Sequence, residues 1–359
     1  MRPISAFSRT MNPVSPRLSR VLVPWLLKNS RYLSNVPSLI KAFRDCRLKS
    51  NELLSKEDLM VPPVMILSVT NNCNLQCRGC FVEKLSKRSM SLSDWQNMIR
   101  QAKQLGVFAF LIAGGEPFLM EGLLDLIDQN EDRVFAIFTN GTCIDEEQIE
   151  HLKKTSNVAI VLSLEGDEQL TDERRGKGIY EKVIATLKKL SQFGILSGIS
   201  VTITTDNYSF WMKDENMNDM IKFGVKLCFF IEYIDVDDSE KILNIKQRTA
   251  FREKVLYYKD HNPIFIVHSP GDETMFGGCV SAGRGFIHVN AFGDITPCPV
   301  VNVSTHNVKN STLKEGLKSP LFQQIRENKL LENGDGPCAL ISHRKELDAL
   351  VQVHSQQLR

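Results

Sequence analysis

Six apolar runs of strand length alternate with helix-period segments between residues 64 and 231, which predicts an α/β fold on a parallel sheet. Two further observations shape the reading. Three cysteines crowd into eight residues directly after the first run, and a Gly-rich stretch with more cysteines follows the last. With 359 residues, 42% apolar and 24% charged, the chain reads as a soluble globular protein able to bury a real core.

The strands are expected at 64–69, 108–113, 134–138, 158–162, 199–203 and 226–231. Helical segments fall between them at 94–105, 123–129, 146–154, 180–193 and 211–223, with Ser93 and Asp145 placed as N-caps. At about 25 to 35 residues per unit, the pattern admits an open doubly wound sheet or a partial barrel. Past residue 238 the alternation stops. A helix is expected over 240–259, then short strands at 286–289 and 294–296, and helical pieces over 313–327 and 344–351. The expected division is a basic amphipathic extension (1–60), a core (61–240), a helical linker (241–268) and a small β-hairpin/helix domain (269–359).

The net charge of +2 hides an asymmetry. Residues 1–50 hold ten Lys and Arg against one acid, Asp45, while the remainder holds 34 basic and 41 acidic groups. The body is therefore mildly acidic, which argues against nucleic acid as a partner, because phosphate neutralisation needs a basic face. The apolar stretches at 21–27 and 105–113 fall short of the roughly 20 residues a spanning helix needs, so an integral membrane protein is excluded.

Nine cysteines are too few per length for a secreted disulfide scaffold and suit metal ligation in a reducing compartment, the cytoplasm. Cys73, Cys77 and Cys80 follow the first strand, at the strand end where βα folds gather their active sites. Three close thiolates suit an iron–sulfur cube, in which each iron takes one external ligand and one iron stays open. A structural zinc site is the competing reading, although zinc normally takes four protein ligands. Cys143 and Cys228 read as packing thiols.

This arrangement resembles the radical S-adenosylmethionine (SAM) superfamily. The likeness rests on Cys73-x3-Cys77-x2-Cys80 followed by Phe81, on Gly114-Gly115-Glu116-Pro117 after the second strand, and on Thr139-Asn140-Gly141-Thr142 after the third. Ser163-Leu164-Glu165-Gly166 and Asp172-Glu173-Arg174-Arg175-Gly176 continue it through residue 232. The resemblance implies a partial (βα)6 TIM-type barrel, a 4Fe-4S cluster on the three cysteines, and SAM contacts from Gly114, Gly115, Glu116, Asn140, Ser163 and Arg175. Arg174 beside them reads as a surface residue. The implied chemistry is reductive cleavage of SAM to a 5′-deoxyadenosyl radical, fed by a reductant such as ferredoxin or flavodoxin, followed by hydrogen abstraction from a substrate. Taken without the resemblance, the glycines suit a close backbone approach to a ligand or a tight turn, and Glu116 a helix-start charge.

Cys279, Cys298 and Cys338 form a second constellation, with Cys279 and Cys298 bracketing the two short strands. Gly278-Cys279, Asn290-Ala-Phe-Gly293-Asp294, Pro297-Cys298-Pro299 and Gly336-Pro337-Cys338 resemble the superfamily's twitch/SPASM-like auxiliary domain, which implies a second iron–sulfur cluster. Ile341 stands where a fourth cysteine would fall, leaving an open iron or a ligand such as His306 or His343. Glu232, Tyr233, Asp235 and Asp237, at and past the sixth strand, are candidate proton acceptors; Glu232 and Tyr233 are taken as the tentative catalytic pair.

The head remains. Arg17, Arg20, Lys28 and Arg31 fall within an arc of about 80° beside Leu18, Val21, Leu22, Trp25, Leu26 and Leu27. Such a surface suits peripheral membrane contact through residues 17–49, or a helix packed on the barrel. An acid-poor leader also resembles a transit peptide, but the basic stretch 39–49 continues directly into the fold. The function expected is that of a radical SAM enzyme acting on an apolar or membrane-associated substrate, a peptide or a small molecule. Two other classes stay in play, a non-catalytic iron–sulfur electron carrier and a zinc-stabilised binding module; the SAM-contact series argues against both.

Overall fold

Valine, isoleucine and phenylalanine dominate the apolar runs, and they form strands because branched and aromatic side chains pack well on a pleated sheet. A computed structural model describes residues 16–234, 239–332 and 336–357. Its centre is a nine-stranded sheet. The strands are β1 (Val64–Thr70), β2 (Ala109–Gly114), β3 (Val134–Thr139), β4 (Val158–Ser163), β5 (Ser197–Ile203), β6 (Leu227–Glu232), β7 (Phe265–Ser269), β8 (Phe286–Val289) and β9 (Ile295–Thr296). Their order across the sheet is β7-β6-β5-β4-β3-β2-β1-β8-β9, parallel from β7 through β8, with β9 antiparallel. The sheet curls into a half-barrel, so the α/β partial-barrel fold class stands.

Two features go beyond the six expected strands. β7 lies where the linker was expected to be helical throughout, after the helix Ile245–His261, and its residues alternate between buried and half-buried. The expected hairpin forms through His288↔Thr296 and Val289↔Ile295. It is no separate sheet, however, because β8 also pairs with β1 from Val64↔Phe286 to Leu67↔Val289. His288 ties this junction together. Its Nε2 lies 2.8 Å from Ser68 Oγ on β1 and its Nδ1 lies 2.7 Å from Thr296 Oγ1 on β9. Burial holds its imidazole down at about 3.

The helix Leu92–Leu105 starts two residues earlier than expected. Ser91, not Ser93, caps it, through a reciprocal box in which Ser91 Oγ accepts from Asp94 N–H (3.2 Å) and Asp94 Oδ2 accepts from Ser91 N–H (3.0 Å). Asp145 caps the helix Glu146–Leu152 as expected.

The head folds onto the half-barrel. In the helix Pro16–Lys28, Val21 and Trp25 are buried, and Arg17 reaches Asp260 Oδ1 at 2.8 Å. Arg20 donates to the carbonyls of Asp260 (2.6 Å) and Lys259 (2.7 Å), capping the end of the helix Ile245–His261. Arg31 donates to Gly194 O at 3.2 Å. Three of the four arc residues are thus engaged with protein, which favours the packed helix over the membrane surface. Val23 and Leu27 stay exposed. Among the described residues no helix is long and apolar enough to cross a membrane.

Candidate active site at the strand ends

β1 ends at Thr70 and the chain turns into the loop that carries Cys73, Cys77 and Cys80. Two backbone hydrogen bonds extend the β1–β2 ladder into this loop, Gly115 N–H to Thr70 O (2.6 Å) and Glu116 N–H to Asn72 O (2.7 Å). A Cβ on Gly114 would lie 2.2 Å from Thr70 O, and one on Gly115 would lie 2.0 Å from Asn72 O. Gly114 also has φ +130°, a conformation side chains resist. The glycines therefore seat the cysteine loop against β2, a close backbone approach within the protein beside the ligand approach and the tight turn that the sequence left open.

The loop's thiols lie close together. Cys73 Sγ accepts from Leu75 N–H at 3.5 Å and sits 3.9 Å from Asn140 Nδ2. Burial pushes the Cys73 and Cys77 thiols up, and each feels the charge of its neighbours in the triplet. At Cys77 the counter-charges that pull against burial are Arg175 and, more weakly, Arg174.

Glu116 is fully buried. Its Oε1 accepts from Thr139 Oγ1 (2.7 Å) and Phe118 N–H (3.1 Å), and its Oε2 accepts from Asn140 N–H (2.8 Å). Burial raises its carboxyl pKa and these three bonds pull the other way. Enclosed in this way, Glu116 braces the ends of β2 and β3, where a ligand contact was expected. Asn140 has a similar part: its Nδ2 donates to Asn74 Oδ1 at 2.8 Å, tying the end of β3 to the cysteine loop. Ser163 stands partly exposed at the end of β4.

Sequence reasoning quoted Glu165 in a motif but gave it no role. It is nearly inaccessible, and its Oε1 accepts from Arg174 Nη1 (2.6 Å), Arg175 Nε (2.9 Å) and Arg175 Nη2 (2.6 Å). The other oxygen, Oε2, is buried without a protein partner. Arg174 is therefore no surface residue; it joins Arg175 in holding this carboxylate. The available signal was an acid just past β4 followed by an arginine pair one short helix later. Arg78, Glu165, Arg174, Asp206, Tyr233 and Lys241 line a cavity of about 140 Å³ there.

At β6 the outcome is divided. Glu232 is buried, with Oε2 accepting from Arg248 Nε (2.7 Å) and Oε1 3.0 Å from His268 Nε2, so it is closed in a network instead of facing a substrate. Tyr233 faces the cavity. Asp235 and Asp237 lie outside the described residues.

The second constellation assembles around β8 and β9. Cys279 and Cys298 are buried and Cys338 half-buried. Cys279 Sγ donates to Ser281 Oγ at 3.3 Å, and neighbouring backbone N–H groups work against burial at each thiol, from Ser281 at Cys279, Val300 and Val301 at Cys298, and Leu340 and Ile341 at Cys338. Burial pushes the Cys298 thiol up to about 12. Glu273, which the sequence did not single out, is buried in the turn before Cys279, and burial pushes its carboxyl up to about 7. His306 is engaged elsewhere, with Nδ1 2.9 Å from Thr305 Oγ1. Among the described residues no three His, Cys, Asp or Glu side chains converge as a lone metal ion requires.

Residues 67–223 match the family profile described as the Radical SAM superfamily. The chain carries a radical SAM domain over those residues. It is accordingly a radical SAM enzyme, and the domain implies a 4Fe-4S cluster and SAM. The chain is 25% identical, over 72% of its length, to the antilisterial bacteriocin subtilosin biosynthesis protein AlbA of Bacillus subtilis, and spans 60% of that relative. It is 22% identical to the AdoMet-dependent heme synthase of Methanosarcina barkeri, covering 79% of this chain and 89% of the relative. Among solved structures, Streptococcus suis SuiB bound to S-adenosylmethionine is similar, with a TM-score of 0.66, 23% identity, and coverage of 80% and 74% of the two chains. That last likeness is one of fold. SuiB has also been solved with its precursor peptide SuiA.

Proposed function

We propose that this radical SAM enzyme holds its 4Fe-4S cluster on Cys73, Cys77 and Cys80 and abstracts hydrogen from a peptide. The observation that carries the reading is the cysteine loop, seated by Gly114 and Gly115 at the strand ends beside the Arg174–Arg175–Glu165 group. Cluster and SAM supply the radical chemistry when bound. The chain's own part is to orient them. Glu165 Oε2 and Ser163 offer acceptors for ammonium or hydroxyl donors, Arg175 a counter-charge for a carboxylate, and Tyr233 a phenol in the adjoining cavity. Cys279, Cys298 and Cys338 hold a second, auxiliary cluster. The neighbouring backbone N–H groups that lower each thiol's pKa support this, since such donors stabilise thiolate charge. A ferredoxin or flavodoxin delivers the electron.

A peptide substrate accords with the bacteriocin-biosynthesis role of AlbA and with the peptide complex of SuiB. The charged lining of the cavity also favours a polar substrate over an apolar one. Anaerobically reconstituted enzyme should form 5′-deoxyadenosine, and changing all three of Cys73, Cys77 and Cys80 to Ala should abolish this while removing about four irons per chain. Incubation with a perdeuterated peptide digest should place deuterium in the 5′-deoxyadenosine. Deuterium arriving only from a perdeuterated porphyrin pool would overturn the peptide assignment.

A further inference from the structure

Ser68 lies on β1, two residues before the strand ends and the chain turns into the cysteine loop. We propose that its hydroxyl oxygen is a substrate contact, the acceptor for an amide N–H or hydroxyl of the bound peptide, and that the His288 ring holds it in the accepting orientation. This deepens the peptide reading of the same site and rests on it.

Successive side chains of a strand point to opposite faces. On β1, Met65, Leu67 and Val69 are buried in the apolar core, whereas Ile66 and Ser68 are half-buried. Parallel βα units carry their helices on the outside of the curl, so the helix-covered core takes the convex face and Ser68 the concave one. Its register partner on β2 is Ala113, half-buried and too small to cover the hydroxyl.

The direction of the hydrogen bonds follows from the carbonyl at their far end. Cys298 O can only accept, so Thr296 Oγ1, 3.2 Å away, spends its one hydrogen there. Thr296 must then receive from His288 Nδ1, which lies 2.7 Å from the same Oγ1. His288 is 4% exposed and burial keeps its imidazole neutral, so only one ring nitrogen carries hydrogen. Nε2 is therefore the bare one, and Ser68 Oγ, 2.8 Å from it, donates. With its hydrogen committed, the Ser68 oxygen has only lone pairs to offer, and no other described side chain bonds it. A serine free to rotate serves donors and acceptors alike; this one selects a donor. Such an oxygen suits a peptide N–H or hydroxyl and disfavours a carboxylate.

The test follows the deuterium that anaerobically reconstituted enzyme moves from a perdeuterated peptide digest into 5′-deoxyadenosine, over a range of digest and SAM concentrations. Losing one hydrogen bond should raise the half-saturating digest concentration about five- to tenfold in Ser68→Ala, with parental iron content and no matching rise for SAM. Ser68→Thr keeps the hydroxyl and should stay within about twofold of the parent. His288→Phe removes the nitrogen that holds the Ser68 hydrogen, so it should raise the digest concentration in the parent and add nothing in Ser68→Ala, as coupled groups do.

Parental half-saturation in Ser68→Ala, loss of its iron, or equal losses in Ser68→Ala and Ser68→Thr would overturn the contact. A change confined to SAM would assign the oxygen to SAM and overturn it equally. Additive losses from Ser68→Ala and His288→Phe would overturn the positioning role of His288. Failure of the unaltered enzyme to take deuterium from the digest would instead overturn the peptide reading itself, and this inference with it.

Discussion

Replacing Gly115 by Ala tests whether the paired glycines serve the protein or the ligand. The new Cβ would sit 2.0 Å from Asn72 O and 2.6 Å from Asn72 C, so the loop must shift by about 1 Å to restore van der Waals contact. That shift strains both backbone bonds that extend the ladder, Gly115 N–H to Thr70 O and Glu116 N–H to Asn72 O. At about 1 kcal/mol per hydrogen bond, more if a buried donor is orphaned, the loss should be about 2–4 kcal/mol. Cysteine positions move with the loop, so iron should fall by about four per chain. The assay pairs urea unfolding of the iron-free protein with iron determination after reconstitution. A Gly115→Ala protein within about 0.5 kcal/mol of the parent, with full iron and weakened SAM binding, would show the glycine facing ligand and refute the argument.

Two further outcomes are expected. His288 is neutral in the fold with its pKa near 3, while the unfolded chain takes up a proton below about 6.5, so stability is complete above 6.5 and is lost as pH falls toward 3. The full effect is at most about 5 kcal/mol. Unfolding free energies measured from pH 6.5 to 4 should therefore fall more steeply in the parent than in His288→Gln, and equal slopes would reject the assignment. Arg20→Ala should destabilise by about 1–2 kcal/mol, since it uncaps the carbonyls of Lys259 and Asp260, with the change read from thermal unfolding. Salt-sensitive sedimentation of the unaltered chain with anionic vesicles would instead restore the membrane reading of the head.

Periodic residues made the six central strands legible, because parallel strands covered on both faces read as continuous apolar runs. β7 escaped detection: it is five residues long, contains His268, and follows a helix after only a short gap. Pairing of β8 with β1 was beyond reach for another reason, since nothing local in Phe286–Val289 encodes a partner so distant in sequence. At the site, residue types were readable but their partners were not. Glu116, Gly114 and Gly115 were singled out, yet their motif looks the same whether a carboxylate meets a ligand or Thr139 and Asn140. Glu165 and His288 matter through burial and neighbours, which only the folded chain supplies.

The join between β8 and β1 has a consequence for how the protein is made. Val64 meets Phe286, roughly 220 residues later, so at typical synthesis rates the free edge of β1 waits on the order of 10–40 s on the ribosome. An unpaired edge is a template for strand addition from other nascent chains, and this one is held open for most of translation. The cysteine loop at the end of β1 is seated by β2 long before that wait ends, whereas Cys279 and Cys298 emerge only with the strands that close the edge. The two cysteine triplets are therefore completed at different times during synthesis. A chain interrupted before β8 would carry a seated first triplet on a sheet still open to aggregation.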